Sequence, residues 1–353
     1  MKMLVISPSY MRQLLNRLTA TKCRYMIDEL SNGLRTFTGE HRLPLPQRTI
    51  HQPMRTHFTN QSGDRNLFMP STDGILSTIK LLTVPGNGDP AQGLVVISKA
   101  DGRPLGLISA GPLTAFRTAL ATMTMFVRSP LPKENITVFG AGPVAAWHAR
   151  LAVLLYPDEV QRVTFIGRSP ARLRRLIQSA TDGLQQLSLD VKVDSLSQND
   201  PSIYPDELQH RISTSDALFC CTSSTEPLFP HRYLEAEESG QNSKPRFISL
   251  VGSHKPDMQE VEVETLLSGG GKVYVDTIEG CLTEAGEIVK AKLGEGDLTE
   301  IGEVFQPGAV IGVEKHCNIV YKSVGFGLMD LIVGKLLLDA AKEEGLGTKV
   351  KGF

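Results

Sequence analysis

The rhythm of apolar and polar positions changes near residue 129. Before it, Ser9 to Leu30 reads as helix, and short apolar segments follow, separated by turns such as Pro85-Gly86-Asn87-Gly88; the pattern predicts an α+β region. The run LTAFRTALATMTMFV, from Leu113 to Val127, is apolar on every side and predicts a buried helix carrying one charge, Arg117. Ser129-Pro130-Leu131-Pro132 marks a boundary. Beyond it, short β-branched runs alternate with helical stretches, which argues for βαβ units around a parallel sheet. Strands are predicted at Ile136 to Phe139, Arg162 to Ile166, Ala217 to Cys221, Phe247 to Val251 and Val273 to Asp276, and a polar surface loop at Ser195 to Pro205. Gly327 to Glu344 is an apolar helix that the polar face of the second domain cannot receive. It is expected to return to the first domain and make it discontinuous, giving domains at 1–128 with 321–353, and at 129–320.

Composition narrows the class. A chain of 353 residues accommodates two cores. Charged residues at 21%, hydrophobic ones at 41% and a formal net charge of -1 describe an ordinary globular protein, with nothing to suggest a nucleic-acid or membrane partner. No run approaches the ~18 apolar residues of a membrane span, and Met1 to Ile6 is too short for a secretory signal, so a cytoplasmic location is expected. The five cysteines are odd in number and lack C-x-x-C spacing, and His51, His57, His148 and His254 show no paired ligand spacing. Reduced thiols, structural or surface histidines and no metal are expected.

The strongest local signal follows the first strand of the second domain. Ile136-Thr137-Val138-Phe139 runs directly into Gly140-Ala141-Gly142-Pro143-Val144-Ala145, and a helix continues to Leu155. This is the strand, glycine turn and helix of a Rossmann-type dinucleotide site. Gly140 permits the turn, Gly142 admits the pyrophosphate, Ala145 allows close packing, and the helix N-terminus faces the anion. Gly140, Gly142, Pro143 and Val144 are therefore candidate cofactor contacts. At the end of the next strand an acid would bond the ribose 2′-hydroxyl of NAD, but the sequence reads Gly167-Arg168-Ser169. Arg168, Ser169 and Arg172 offer planar donors and a hydroxyl to a 2′-phosphate, which favours NADPH over NADH or NAD. Arg174 and Arg175 fit a solvated helix face equally well.

Further motifs carry a resemblance. Arg48-Thr49, Phe68-Met69-Pro70, Ile79-Lys80, LTAFRTA at 113–119, VFGAG at 138–142, CTSSTEP at 221–227, VGSHKPD at 251–257, VYVDT at 273–277, EIGEV at 300–304 and YKSVGFGLMDL at 321–331 occur in the order seen in the ornithine cyclodeaminase/μ-crystallin family. The chain resembles that family from about Arg48 to Ala341. The resemblance implies a homodimer, in which the N-terminal region and C-terminal helix form a substrate and dimerisation domain beside the Rossmann domain. It also implies hydride transfer between a nicotinamide and the α-carbon of an amino or imino acid. Arg48, Lys80 and Arg117 match the family's basic residues around the substrate carboxylate. Ser323 matches a serine near the nicotinamide carboxamide, Thr222, Ser223 and Val251 fall at strand ends that meet the cofactor, and Glu284 matches a pocket glutamate of the μ-crystallin branch.

The residue types suit that chemistry. Arginine presents two parallel hydrogen bonds to a carboxylate, and a lysine desolvated in an apolar run such as Ile79-Lys80-Leu81 has a pKa lowered toward use in proton transfer. Two departures bear on the reaction. Cyclodeaminases of the family use an aspartate just after the strand ending here at Cys221, where this chain has Thr222-Ser223-Ser224-Thr225-Glu226-Pro227; Glu226 is the acid that could substitute, although a Glu-Pro pair at this spacing also occurs in the reductase-like members. The interval from Arg48 to Met69 is also long, and Arg55 within it competes with Arg48 for the carboxylate. The expected activity is reduction of an imine or ketimine carboxylate. Ornithine cyclodeamination and non-catalytic, crystallin-like NADPH binding stand as alternatives.

Overall fold

A computed structural model describes residues 2–87, 89, 91–186, 190–199, 203–235, 244–309, 311 and 317–352. The chain divides into two compact units, Met1–Ala121 with Gly325–Phe353 (unit 1) and Thr122–Val324 (unit 2). The division falls inside a helix and just after Val324, not at the proline-rich segment near residue 129.

Unit 1 begins with β1 (Lys2–Ile6), α1 (Pro8–Asn16) and α2 (Ala20–His41). The single helix expected from Ser9 to Leu30 is two. Ser7 and Thr19 each accept a backbone N–H with the side-chain hydroxyl, from Tyr10 and Lys22, so each starts its own helix, and α2 runs on to His41. A meander follows: β2 (Thr56–Thr59), β3 (Arg65–Thr72), β4 (Leu76–Val84), β5 (Gln92–Lys99) and β6 (Pro104–Ser109). α3 (Ala110–Phe126) carries Arg117.

Unit 2 is built on an eight-stranded, all-parallel sheet. Its elements are β7 (Asn135–Phe139), α4 (Pro143–Leu155), β8 (Arg162–Gly167), α5 (Pro170–Gln186), β9 (Lys192–Ser197), α6 (Tyr204–Thr214), β10 (Ala217–Cys220), β11 (Phe247–Leu250), α7 (Val263–Leu266), β12 (Val273–Val275), α8 (Ile278–Glu284), α9 (Gly286–Ala291), β13 (Leu298–Glu300), α10 (Ile301–Val304) and β14 (Ile319–Lys322). Strand order is β13-β12-β14-β11-β10-β7-β8-β9, so the winding reverses between β7 and β10. β10 and β11 are buried along their whole length, which explains why they are apolar apart from Ser249, whose hydroxyl pairs with that of Thr122. The polar loop expected at Ser195 to Pro205 is not one loop: Ser195–Ser197 complete β9, Tyr204 and Pro205 open α6, and 200–202 lie outside the described residues. β9 is an edge strand with no fully buried residue, so a polar strand is tolerated there.

The chain then returns to unit 1 as α11 (Gly327–Glu343) and β15 (Thr348–Lys351). α11 packs on α2, β3, β4 and β5, and β15 pairs antiparallel with β1. The sheet of unit 1 is thereby ordered β15-β1-β6-β5-β4-β3-β2. In β4, Leu76, Thr78 and Lys80 are buried, while Ser77, Ile79 and Leu81 are half-exposed on the other face.

Candidate functional site

Each unit carries one concentration of candidate residues. In unit 2, β7 leads into Gly140, whose φ of +125° is a conformation side chains rarely adopt. A Cβ there would also lie 3.0 Å from the Cys221 carbonyl, so only glycine brings the turn this close to the end of β10. Gly142 is the N-cap of α4 and gives no side-chain cap, and a Cβ built on it meets nothing within 4 Å. The N-terminus of this 13-residue helix thus has open space at its N-cap, beside exposed Pro143 and half-buried Val144, a cradle that fits a phosphate group.

Beyond the end of β8, Arg168 and Arg172 are exposed, and the half-buried Ser169 accepts the Arg172 backbone N–H at 3.4 Å. Arg174 and Arg175 are exposed on α5. At the ends of the strands on the other side of β7, Thr222 donates both its N–H and its hydroxyl to Glu260 Oε1, at 2.7 and 3.0 Å. Ser223 is exposed, and half-buried Val251 donates its N–H to the Cys220 carbonyl. Ser323 is buried, and its hydroxyl donates to Asp276 Oδ2 at 2.7 Å. Glu284, half-buried, is the last residue of α8.

His148 is a core residue of unit 2. Its ring nitrogens lie 2.8 Å from the Val144 carbonyl and 2.9 Å from the Thr122 hydroxyl, and burial pushes its pKa down to about 4. Among the described residues, no group of three His, Cys, Asp or Glu side chains is placed to hold a metal ion.

In unit 1, Lys80 and Arg117 converge on one carboxylate that the sequence reading did not single out, Asp330 of α11. Lys80 Nζ lies 3.4 and 3.3 Å from its two oxygens, and Arg117 Nε donates to Oδ1 at 3.3 Å. Lys80, Arg117 and Asp330 are 1%, 4% and 0% exposed. Two cations share one anion in a dry setting, so the cluster holds excess positive charge and favours a further anion. Burial, opposed by Asp330 and reinforced by the charges of Arg117 and Arg55, lowers the Lys80 pKa to about 8. Gly325 makes room for the guanidinium: its φ is +75°, and a Cβ on it would stand 2.4 Å from Arg117 Nη1.

Arg48 is not gathered into this cluster. Its Nε and Nη2 donate to the Leu43 and His41 carbonyls, both at 2.8 Å, tying the chain after α2. Arg55 stands better. Thr56 pairs with Phe68 and Met69 with Lys80, so extending the β2–β3 register by one residue sets Arg55 opposite Met69, in the cross-strand row that continues to Lys80. The sequence signal for Arg55 was the long interval after Arg48; the signal for Asp330 was an acid inside an apolar helix.

An all-parallel sheet that reverses at a glycine turn, in a chain whose other unit is a mixed sheet closed by the C-terminal helix, defines a Rossmann-type protein with a discontinuous α+β companion. The chain belongs to the ornithine cyclodeaminase/mu-crystallin family, whose sequence model matches residues 19–345. It is 27% identical over 366 residues to Delta(1)-pyrroline-2-carboxylate reductase of Bacillus thuringiensis, covering 99% of this chain and 100% of that protein. It is 25% identical over 309 residues to ketimine reductase mu-crystallin of Rattus norvegicus, covering 84% and 87%. The fold is that of Thermococcus litoralis Delta(1)-pyrroline-2-carboxylate reductase, solved with NADH and L-proline, at a TM-score of 0.78 and 21% identity over 99% of this chain and 100% of that one.

Proposed function

We propose that the protein is an NAD(P)H-dependent oxidoreductase that reduces the C=N bond of an imino acid, in the first place a cyclic imine or ketimine carboxylate. The observation that carries this is the buried cluster in which Lys80 and Arg117 share Asp330. Its excess positive charge suits a carboxylate beside the reacting carbon. A bound nicotinamide would supply hydride to that carbon while the imine nitrogen takes a proton, giving the amine. Arg117 receives the carboxylate, and the Lys80 ammonium orients the imine nitrogen and provides its proton. Arg55 takes the second carboxylate contact that the family resemblance assigned to Arg48. On the cofactor side the glycine turn would hold the pyrophosphate, and Arg168, Ser169 and Arg172 suit the 2′-phosphate of NADPH. Thr222, Ser223, Val251 and Ser323 would border the nicotinamide half, and Glu284 the substrate. Cyclisation of ornithine with loss of ammonia is disfavoured, because Thr222-Ser223-Ser224 offers no acid for the amine steps.

The protein acts as a homodimer in the cytoplasm. Supporting the dimer, the outer face of the unit 1 sheet is a half-exposed apolar surface: Leu81 lies opposite Phe68 and Leu94, and Val96 opposite Ile79 and Leu107.

The test is to supply NADPH with five- and six-membered cyclic ketimine carboxylates and follow cofactor oxidation, then NAD with ornithine and follow proline. Oxidation with a ketimine is expected, and proline from ornithine would overturn the reading. Arg55→Ala should raise the imine KM at least about tenfold, the loss of a charge-assisted hydrogen bond, while Arg48→Ala leaves it within about twofold. The reverse ranking returns the carboxylate to Arg48.

A further inference from the structure

We propose that Glu260 is a positioning residue for the dinucleotide: its buried carboxylate fixes the turns after β10 and β11 in the geometry on which the nicotinamide half of the cofactor rests. This rests on the dinucleotide reading given above.

The Glu260 carboxylate is surrounded by donors from two strand ends. Oε1 accepts the N–H and hydroxyl of Thr222, and Oε2 accepts the Gly252 N–H at 2.8 Å. Thr222 follows β10 and Gly252 follows β11, the two strands beyond β7 from β8. Arg168 lies past β8, on the side that takes the adenosine ribose, so the nicotinamide half extends over β10 and β11. The phosphate turn touches the first clamped segment directly, since Gly140 abuts the Cys221 carbonyl.

Glu260 is held in its turn. Its own N–H donates to Glu287 Oε1 at 2.8 Å, Glu287 pairs with Lys322 of β14 at 3.3 Å, and Lys322 donates to the Ser253 carbonyl at 2.7 Å. Glu260, Glu287 and Lys322 are 0%, 1% and 0% exposed. Two enclosed carboxylates facing one ammonium are costly compared with an apolar filling of the same volume, and what the carboxylate contributes that an alkyl group cannot is a fixed direction for three donors. Those donors belong to the loops at the carboxyl edge, where the sheet reverses.

The test compares wild type with Glu260→Gln, whose amide group turns an N–H toward donors. NADPH affinity is measured by nicotinamide fluorescence, and adenosine 2′,5′-bisphosphate serves as a probe of the adenosine side alone. Expected are a rise in NADPH Kd of about tenfold or more and unchanged affinity for the bisphosphate. Equal weakening of both ligands, or a wild-type NADPH Kd in the variant, overturns the proposal. Amide exchange on the cofactor-free wild type provides a reading that needs no variant: the Thr222 and Gly252 amides should be protected like β10 and β11, and exchange as fast as exposed Ser223 overturns the clamp. Wild type that binds the bisphosphate but not NADPH overturns both this proposal and the dinucleotide reading, whereas binding without the Glu260 effect overturns this proposal alone.

Discussion

Lys80 and Arg117 are each enclosed almost completely, and a single carboxylate serves both. Two cations thus share one carboxylate, and burial makes the Lys80 ammonium readier to yield a proton. Its pKa of about 8 places the ammonium form below that pH and the amine above it. In the reductive direction kcat/KM is therefore expected to be level below about pH 8 and to fall about tenfold per unit above it, measured with NADPH at saturation. Lys80→Met should lower turnover about 100-fold or more and leave the NADPH Kd unchanged; a profile still falling at pH 8 in that variant would show that another group titrates. Arg117 was legible in the sequence because a lone charge in an apolar helix demands a partner. Asp330 meets a similar condition in the apolar first half of α11, where Leu328 and Met329 precede it and Leu331 follows. Its partnership with Arg117, 213 residues away, is a product of the fold and has no local signal.

At the scale of elements, the glycine turn and its flanking strand and helix were legible, because each of the three depends on local constraints: the φ at Gly140, the proline at the first turn of α4 and the apolar run of β7. The all-parallel sheet followed from strands alternating with helices. What was not legible was decided by competition or by burial. Thr19 interrupts an otherwise continuous helical pattern by capping α2, and β9 forms from polar residues because β8 provides the pairing edge. The end of β8 carries its own prediction. Arg168→Asp should weaken NADPH far more than NADH, by about tenfold or more in Kd, since it replaces the cation proposed to meet the 2′-phosphate with an anion. Equal effects on the two cofactors, read by fluorescence titration, would remove Arg168 from 2′-phosphate recognition.

For the whole molecule, the alternation along β4 serves two purposes at once: Lys80 points to the helix-covered face, and Ile79 and Leu81 to the face assigned to a second copy. Leu81→Arg is expected to shift the protein from dimer to monomer in sedimentation without loss of secondary structure, and a variant that sediments as wild type would place the interface elsewhere. The discontinuity of unit 1 also has a consequence during synthesis. β1 is made before unit 2 and its partner β15 after it. Lys80 and Arg117 are likewise translated long before Asp330, the anion that makes their burial tolerable. Unit 2 can therefore complete its sheet while unit 1 still waits for α11, and a ribosome that stalls before α11 leaves a folded nucleotide-type domain tethered to an open, cationic, apolar half.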